Sequence, residues 1–263
     1  NFTGVETVNS TTGGTLNGTD LADQFTLGID NQIKVQSDSV TFNNIAAVVA
    51  GAGTDEIIGA ADQAWQLSGT DKQITANEIA FTAVEKATNG TVIGTASADE
   101  FTLVGTKQVE ANDIIFGNVT GVAGGNGSDE IIGAADQAWQ LSGTDKQITA
   151  NEITFTAVEE ATNGTVIGTA SADEFTLVGT KQVEANDIIF GNVTGVAGGN
   201  GSDEIIAIAD QAWQLSGTDQ QITANEITFT AVEKATNGTV IGTASADEFT
   251  LVGTKQVEAN DII

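Results

Sequence analysis

A block of 74 residues is written almost three times over in this chain. Gly53-Thr-Asp-Glu-Ile-Ile58 returns from Gly127 and again from Gly201, each time with Ser in place of Thr. Residues 53–126 and 127–200 differ at three positions only: Thr54/Ser128, Ala80/Thr154 and Lys86/Glu160. A unit repeated in tandem must present one face to its predecessor and a complementary face to its successor, which restricts the fold to stacked architectures. The chain divides accordingly into a diverged repeat (1–52), two full units (53–126 and 127–200) and a third that stops short (201–263), expected to form one continuous solenoid. Asn1-Phe-Thr-Gly-Val5 is similar to the tail of a unit at Phe116–Val122. Both ends are thus expected to cut the pattern mid-unit, as in a piece of a longer repetitive protein.

A finer period sits inside the first. Trp65-Gln-Leu67-Ser-Gly69 matches Phe101-Thr-Leu103-Val-Gly105, which gives half-units of about 37 residues. Ile57, Ile74, Ile93, Val109 and Ile131 divide each half again, so the spacing predicts coils of about 18–19 residues. Glu100–Val104 and Ile79–Ala83 alternate apolar and polar side chains as half-buried strands do. Asn89-Gly90, Asn126-Gly127 and Ser68-Gly69 supply the positive φ that corners require. Pro is absent, which suits strands paired on both edges, and β-branched residues with frequent Gly argue against helices. The expected fold is an all-β parallel β-solenoid. Its inward ladder should hold Ile57, Trp65, Leu67, Ile74, Phe81, Val84, Ile93, Phe101, Leu103, Val109, Ile114 and Phe116, with their copies one period on.

Charge limits the partners. Thirty-six acidic side chains against 8 basic ones leave a net charge of −28, with no basic stripe for nucleic acid and nothing to attract an anionic membrane surface. No apolar stretch is long enough for a membrane-spanning helix, so membrane insertion is not expected. His and Cys are both absent. Ser-His-Asp and Cys-His nucleophile systems therefore cannot be built, nor can a zinc site of the usual kind. The paired acids Asp55/Glu56 and Asp99/Glu100 are strand neighbours that point to opposite faces, so neither is a ready-made glycosidase dyad. The chain is not expected to be an enzyme.

Two features could bind something. Trp65, Trp139 and Trp213 occupy one position of the unit. They are either core filler or an outward row of indoles on which a polysaccharide would stack. Gly124-Gly-Asn-Gly-Ser-Asp-Glu-Ile-Ile132 and its copy from Gly198 match the calcium-binding nonapeptide G-G-x-G-x-D-x-U-x, and Ala50–Ile57 is a weakened version. Asp55, Asp129 and Asp203 would then give the hard oxygen ligand that Ca²⁺ prefers. The nonapeptides come once per unit rather than in tandem, so a Gly-rich corner closed by an Asx turn is the competing reading, and no other cofactor is expected.

Trp65-x-Leu67-x-Gly69, Phe81-x-x-Val84-Glu85, Asp99-x-Phe101-x-Leu103 and the Gly-x-Gly-x-Asp corner together resemble the repeats of very large bacterial surface adhesins. These are the filamentous-haemagglutinin-like β-helix exoproteins, some of them biofilm-matrix adhesins; calcium-roll adhesins are the neighbouring family. The resemblance implies a right-handed β-helix, export to the cell surface or biofilm matrix, and adhesion to exopolysaccharide or to like molecules on other cells. The expected role is a structural shaft, with a polysaccharide-binding shaft or a calcium-dependent surface-layer fibre as alternatives.

Overall fold

The computed structural model describes residues 7–29, 31–35 and 40–263, so the similarity noted at Asn1–Val5 lies outside the described residues. Every regular element among them is a β-strand. The chain gathers into two compact units, Asn1–Glu130 with Asn151–Ala157, and Ile131–Ala150 with Val158–Ile263. Each is a β-solenoid of stacked parallel strands, as the repeat predicts.

In the first unit, Gln24–Thr26 lie beside Glu56–Ile58, those beside Lys86–Thr88, and those beside Ile115–Gly117, all parallel. In the second, Glu160–Ile167 lies beside Ile189–Ala197, and Gly195–Ala197 beside Thr228–Thr230. The coil length differs from the expectation. Side chains that meet across parallel neighbours are separated by 27 to 34 residues along the chain, not 18–19. Hairpins are the physical reason. Ala64–Leu67 turns back antiparallel on Gln73–Ala76, which turns back on Ile79–Thr82. The long strand Lys86–Ile93 then returns to cover both Glu56–Ile58 and Ala64–Gln66 in parallel. Each hairpin strand also sends apolar side chains inward, so the aliphatic spacing counted hairpin arms as coils.

The hairpin turns use two central residues in the left-handed region. Asn77 and Glu78 have φ of 47° and 61°, and Asn112 and Asp113 have 49° and 57°. Two positive φ values define the turn whose twist matches paired strands, and Asn-Gly is the pair that suits it best. A non-glycine residue there costs about 1–2 kcal/mol, and glycine loses about 0.5–1 kcal/mol more backbone entropy on folding. Glu78→Gly is therefore expected to stabilise the first unit by about 0.5–1 kcal/mol. The check is a higher urea midpoint at unchanged slope.

The interior is apolar and continuous along each stack. Ile57, Trp65, Phe81, Val84, Phe101, Val109, Ile114 and Phe116 are fully buried, and Leu67, Ile74 and Leu103 nearly so. Burial of each such side chain contributes about 1.5–3 kcal/mol. Ile93 is the exception to the expected ladder. It is only half-buried, and Val92 takes the inward place, stacked between Trp65 and Val122. The reason is strand parity: Lys86–Ile93 alternates from Ala87, and Asn89, at φ 72°, adds one residue to the count before the inward Gly90 and Val92.

The third copy carries an experiment of its own. Gly59 and Gly133 become Ala207, and Ala60 and Ala134 become Ile208. A methyl group on Gly133 would sit 2.6 Å from the Trp139 ring and 2.7 Å from Gln137. With the glycine present, Trp139 Nε1–H donates to the Asn163 carbonyl at 2.6 Å, and Trp65 does the same with Asn89. In the third copy the strand runs unbroken over Glu204–Leu215, Trp213 packs edge-on against Phe229, and its Nε1–H has no acceptor. Ile208 is left 73% exposed.

Candidate functional site

The Gly-x-Gly-x-Asp corner is the feature in which sequence and charge both concentrate. Gly127 has φ +129°, and a side chain there would come within 2.7 Å of the Ser97 backbone, so only glycine lets the corner stack this closely on the preceding one. The turn brings the following Asp inward rather than outward. Asp55, Asp129 and Asp203 are all fully buried.

Each accepts a backbone N–H from the coil before. Asp23 N–H donates to Asp55 Oδ1 at 2.7 Å, Asp99 N–H to Asp129 Oδ1 at 2.8 Å, and Asp173 N–H to Asp203 Oδ1 at 2.8 Å. Further acids join these ladders in a role that the sequence analysis did not give them. Asp23, Asp99 and Asp173 close their own turns by accepting the N–H and hydroxyl of Thr19, Thr95 and Thr169 through Oδ2. Glu85 and Glu233 complete the far side, accepting the N–H of Asp55 and Asp203 at 2.8 Å. A signal for them exists: acids recur 30 residues apart at Asp55/Glu85, Asp99/Asp129 and Asp203/Glu233.

The electrostatics follow from this stacking. Burial pushes the Asp55 carboxyl above the usual carboxylate range; the charges of Glu85 and Asp23 add to that, and the Asp23 N–H opposes it. Asp203 is raised for the same reason, with Asp173 and Glu233 adding to the effect. Oδ2 of Asp55 and of Asp203 is buried without a hydrogen-bond partner. Lys72 pairs with Glu85 at 3.0 Å and Lys146 with Glu159 at 2.8 Å. The third copy has Gln220 at that position, and Lys234 pairs with Glu204 instead.

One oxygen of each Asp is committed to a backbone amide, the side chains face the stack, and among the described residues no group of three or more acids converges on a point. The corner reading fits Asp55, Asp129 and Asp203.

The tryptophans also turn inward. Trp65 and Trp139 have no exposed surface and Trp213 has 2%, so the outward indole row is not formed. The ring is inside in all three copies, and in the first two its N–H also donates to the carbonyl of the Asn-Gly corner one strand away.

A concave polar groove of about 670 Å³ lies in the first unit. Asp71, Asp99, Glu100, Glu110 and Asp113 line it together with Ser68, Thr95, Ser97 and Thr102, and no lysine does. Its chemistry accepts hydrogen bonds and repels anions. Comparison with protein-family models, curated proteins and solved structures finds no match for the chain.

Proposed function

We propose that the chain is the structural repeat shaft of a secreted bacterial adhesin or biofilm-matrix fibre, working outside the cell in cell–cell or cell–surface adhesion. The observation that carries this reading is the recurrence of the same stacking bonds one repeat apart. The Asp99–Asp129 and Asp173–Asp203 bonds have the same length, as do the Trp65–Asn89 and Trp139–Asn163 bonds. A coil built this way accepts another like itself without new contacts, which is what an extensible spacer requires.

The reading is non-enzymatic. A chain without His or Cys, whose buried acids are committed to backbone amides, is equipped for stacking rather than for proton transfer. The dense negative coat keeps like shafts from bundling side by side. A neutral exopolysaccharide is the ligand class best matched to the acidic groove, because carboxylates accept hydroxyl hydrogens and anionic polymers are repelled.

Two measurements test this. Small-angle scattering on chains lengthened by whole 74-residue units should give a maximum dimension that grows by a constant increment per unit. Growth with roughly the 0.38 power of chain length, as in a compact globule, would overturn it. Beads coated with the chain should be retained on a neutral exopolysaccharide surface and not on a sulfated one. Equal retention on both would discard the ligand class.

A further inference from the structure

Charge is missing from one flank of each stack. In the first unit, residues 47–49, 80–82, 73–75, 64–66, 91–93, 121–123 and 154–156 lie side by side in that order as one sheet. Trp65, Val92, Val122 and Phe155 point into the interior, so the residues on either side of each point out. Thr75, Gln66, Ile93, Ala123 and Thr156 form one outward row, and Ala64, Thr91, Gly121 and Thr154 a second. The remaining outward positions are Ala47, Val49, Gln73, Ala80 and Thr82. None of these residues carries a charge.

The sheet on the other side of the same interior is different. There Phe25, Ile57, Ala87 and Phe116 point inward, which leaves Glu56 and Lys86 outside, paired with each other, with Ile115 next to Lys86 and Glu110 next to Ile115. The second unit repeats the uncharged sheet. Residues 147–149, 138–140, 165–167, 195–197 and 228–230 again put only Gln, Thr, Ala, Ile and Gly outward.

Polar groups on the uncharged side are turned down onto the sheet. Gln66 Nε2–H donates to the carbonyls of Ile93 at 3.2 Å and Gly94 at 2.5 Å, and Gln140 does the same to Ile167 and Gly168. The hydroxyls of Thr82 and Thr156 donate to the Val48 and Val122 carbonyls at 3.5 and 3.4 Å. Stripping water from such a surface leaves these donors bonded and desolvates no charge, so the usual cost of burying polar groups is small. A contiguous exposed face of this kind marks a contact surface.

We propose that this sheet face is the docking surface for a second copy of the chain, packed face to face. Two chains of net charge −28 repel wherever carboxylates meet, and the uncharged sheet is the side on which they approach without that opposition. Small outward side chains let two sheets pack at about 10 Å. A second copy also carries the same 74-residue period, so contacts made at one unit recur at the next, which a partner of another period would not match. The acidic coat still forbids a bundle, because a face-to-face pair leaves its charged sheets outside. Seven strands about 4.8 Å apart, each showing three residues of about 3.3 Å, give one unit a face of roughly 340 Å². That is well below the roughly 800 Å² per partner of a stable interface, so one unit pairs weakly and strength accumulates with the number of units. The inference rests on the shaft reading for its role, joining like molecules on neighbouring cells, and the two fail separately. A chain that never pairs leaves the constant growth per repeat unit untouched.

Sedimentation equilibrium of the 263-residue chain tests this. Reversible monomer–dimer association is expected, strengthening as salt screens the coat and not proceeding to larger species. Ala64→Glu with Ala138→Glu places one carboxylate on the face of each unit at exposed positions and should weaken pairing at least tenfold. Ile115→Glu with Ile189→Glu adds the same charge to the opposite sheets, also at exposed positions, and should leave pairing within about twofold. Circular dichroism verifies that both variants fold. Equal weakening by the two variants overturns the proposal, since total charge rather than the face would then govern pairing. Association that weakens with salt, or that grows beyond the dimer, overturns it as well. So does a chain that stays monomeric at every concentration and salt; if the Ala64→Glu, Ala138→Glu variant then loses retention on a neutral exopolysaccharide, the face belongs to the polymer.

Discussion

Trp139→Ala should lower stability by about 3–5 kcal/mol, the range for emptying a large buried aromatic site. The indole is fully enclosed and its N–H is committed to Asn163, so truncation leaves both a cavity and a carbonyl without its donor. Gly133→Ala should cost about 1–3 kcal/mol by the opposite route, since the new methyl overlaps the ring and the Gln137 side chain. The third copy shows how the stack answers such a methyl: Trp213 loses its acceptor and the turn straightens into one strand. The double change Ala207→Gly with Ile208→Ala is accordingly expected to recover the indole bond to Asn237 and to gain about 1–2 kcal/mol. Stacked repeats can unfold in pieces, so hydrogen exchange resolved along the chain is the suitable readout, with Trp fluorescence during urea unfolding beside it. A neutral Gly133→Ala would sink this account. A Trp139→Leu chain that keeps its stability but loses retention on polysaccharide would return the indoles to a binding role.

These residues also show what the sequence could and could not disclose. The 74-residue period, the inward aromatics and the left-handed Asn-Gly corners are local or self-referential features, and identity between copies makes them visible without any partner. Coil length is not of that kind. It depends on which strand lies beside which, and Ile74 on a hairpin arm looks the same in sequence as Ile57 on a parallel rung. Asn77-Glu78 hid the hairpin because Glu is an uncommon occupant of a positive-φ site. Ile93 and Val92 could not be ranked by hydrophobicity; Asn89, in the left-handed region, shifts the alternation between them. The corner aspartates stand out by their spacing, which leaves both a calcium ligand and a corner group open. Whether a carboxylate after Gly-x-Gly points out to an ion or in to an amide is decided by the coil beneath it, through Asp23, Asp99 and Asp173.

That inward direction makes the stability of the chain depend on pH in an unusual sense. Asp55 and Asp203 have their folded-state pKa raised by burial, so between the ordinary carboxylate value and the raised one the folded chain holds protons that the unfolded chain has released. Stability then falls as pH rises through the folded-state value and is regained on acidification toward the ordinary one. Self-repulsion from a net charge of −28 acts in the same direction and is weakened by salt, whereas the buried pair is screened far less. The thermal midpoint at high salt is therefore expected to rise as pH is lowered from neutrality toward the ordinary carboxylate range. Asp55→Asn with Asp203→Asn should flatten that rise, because the amide keeps an oxygen for the Asp23 and Asp173 N–H groups and carries no charge. Asp55→Ala separates the hydrogen bond from the charge. It strands the buried Asp23 N–H and should cost about 1–3 kcal/mol at neutral pH, where the Asn variant should not. A midpoint that falls on mild acidification, or an Ala variant as stable as the Asn one, would show that these carboxylates do not hold successive coils together.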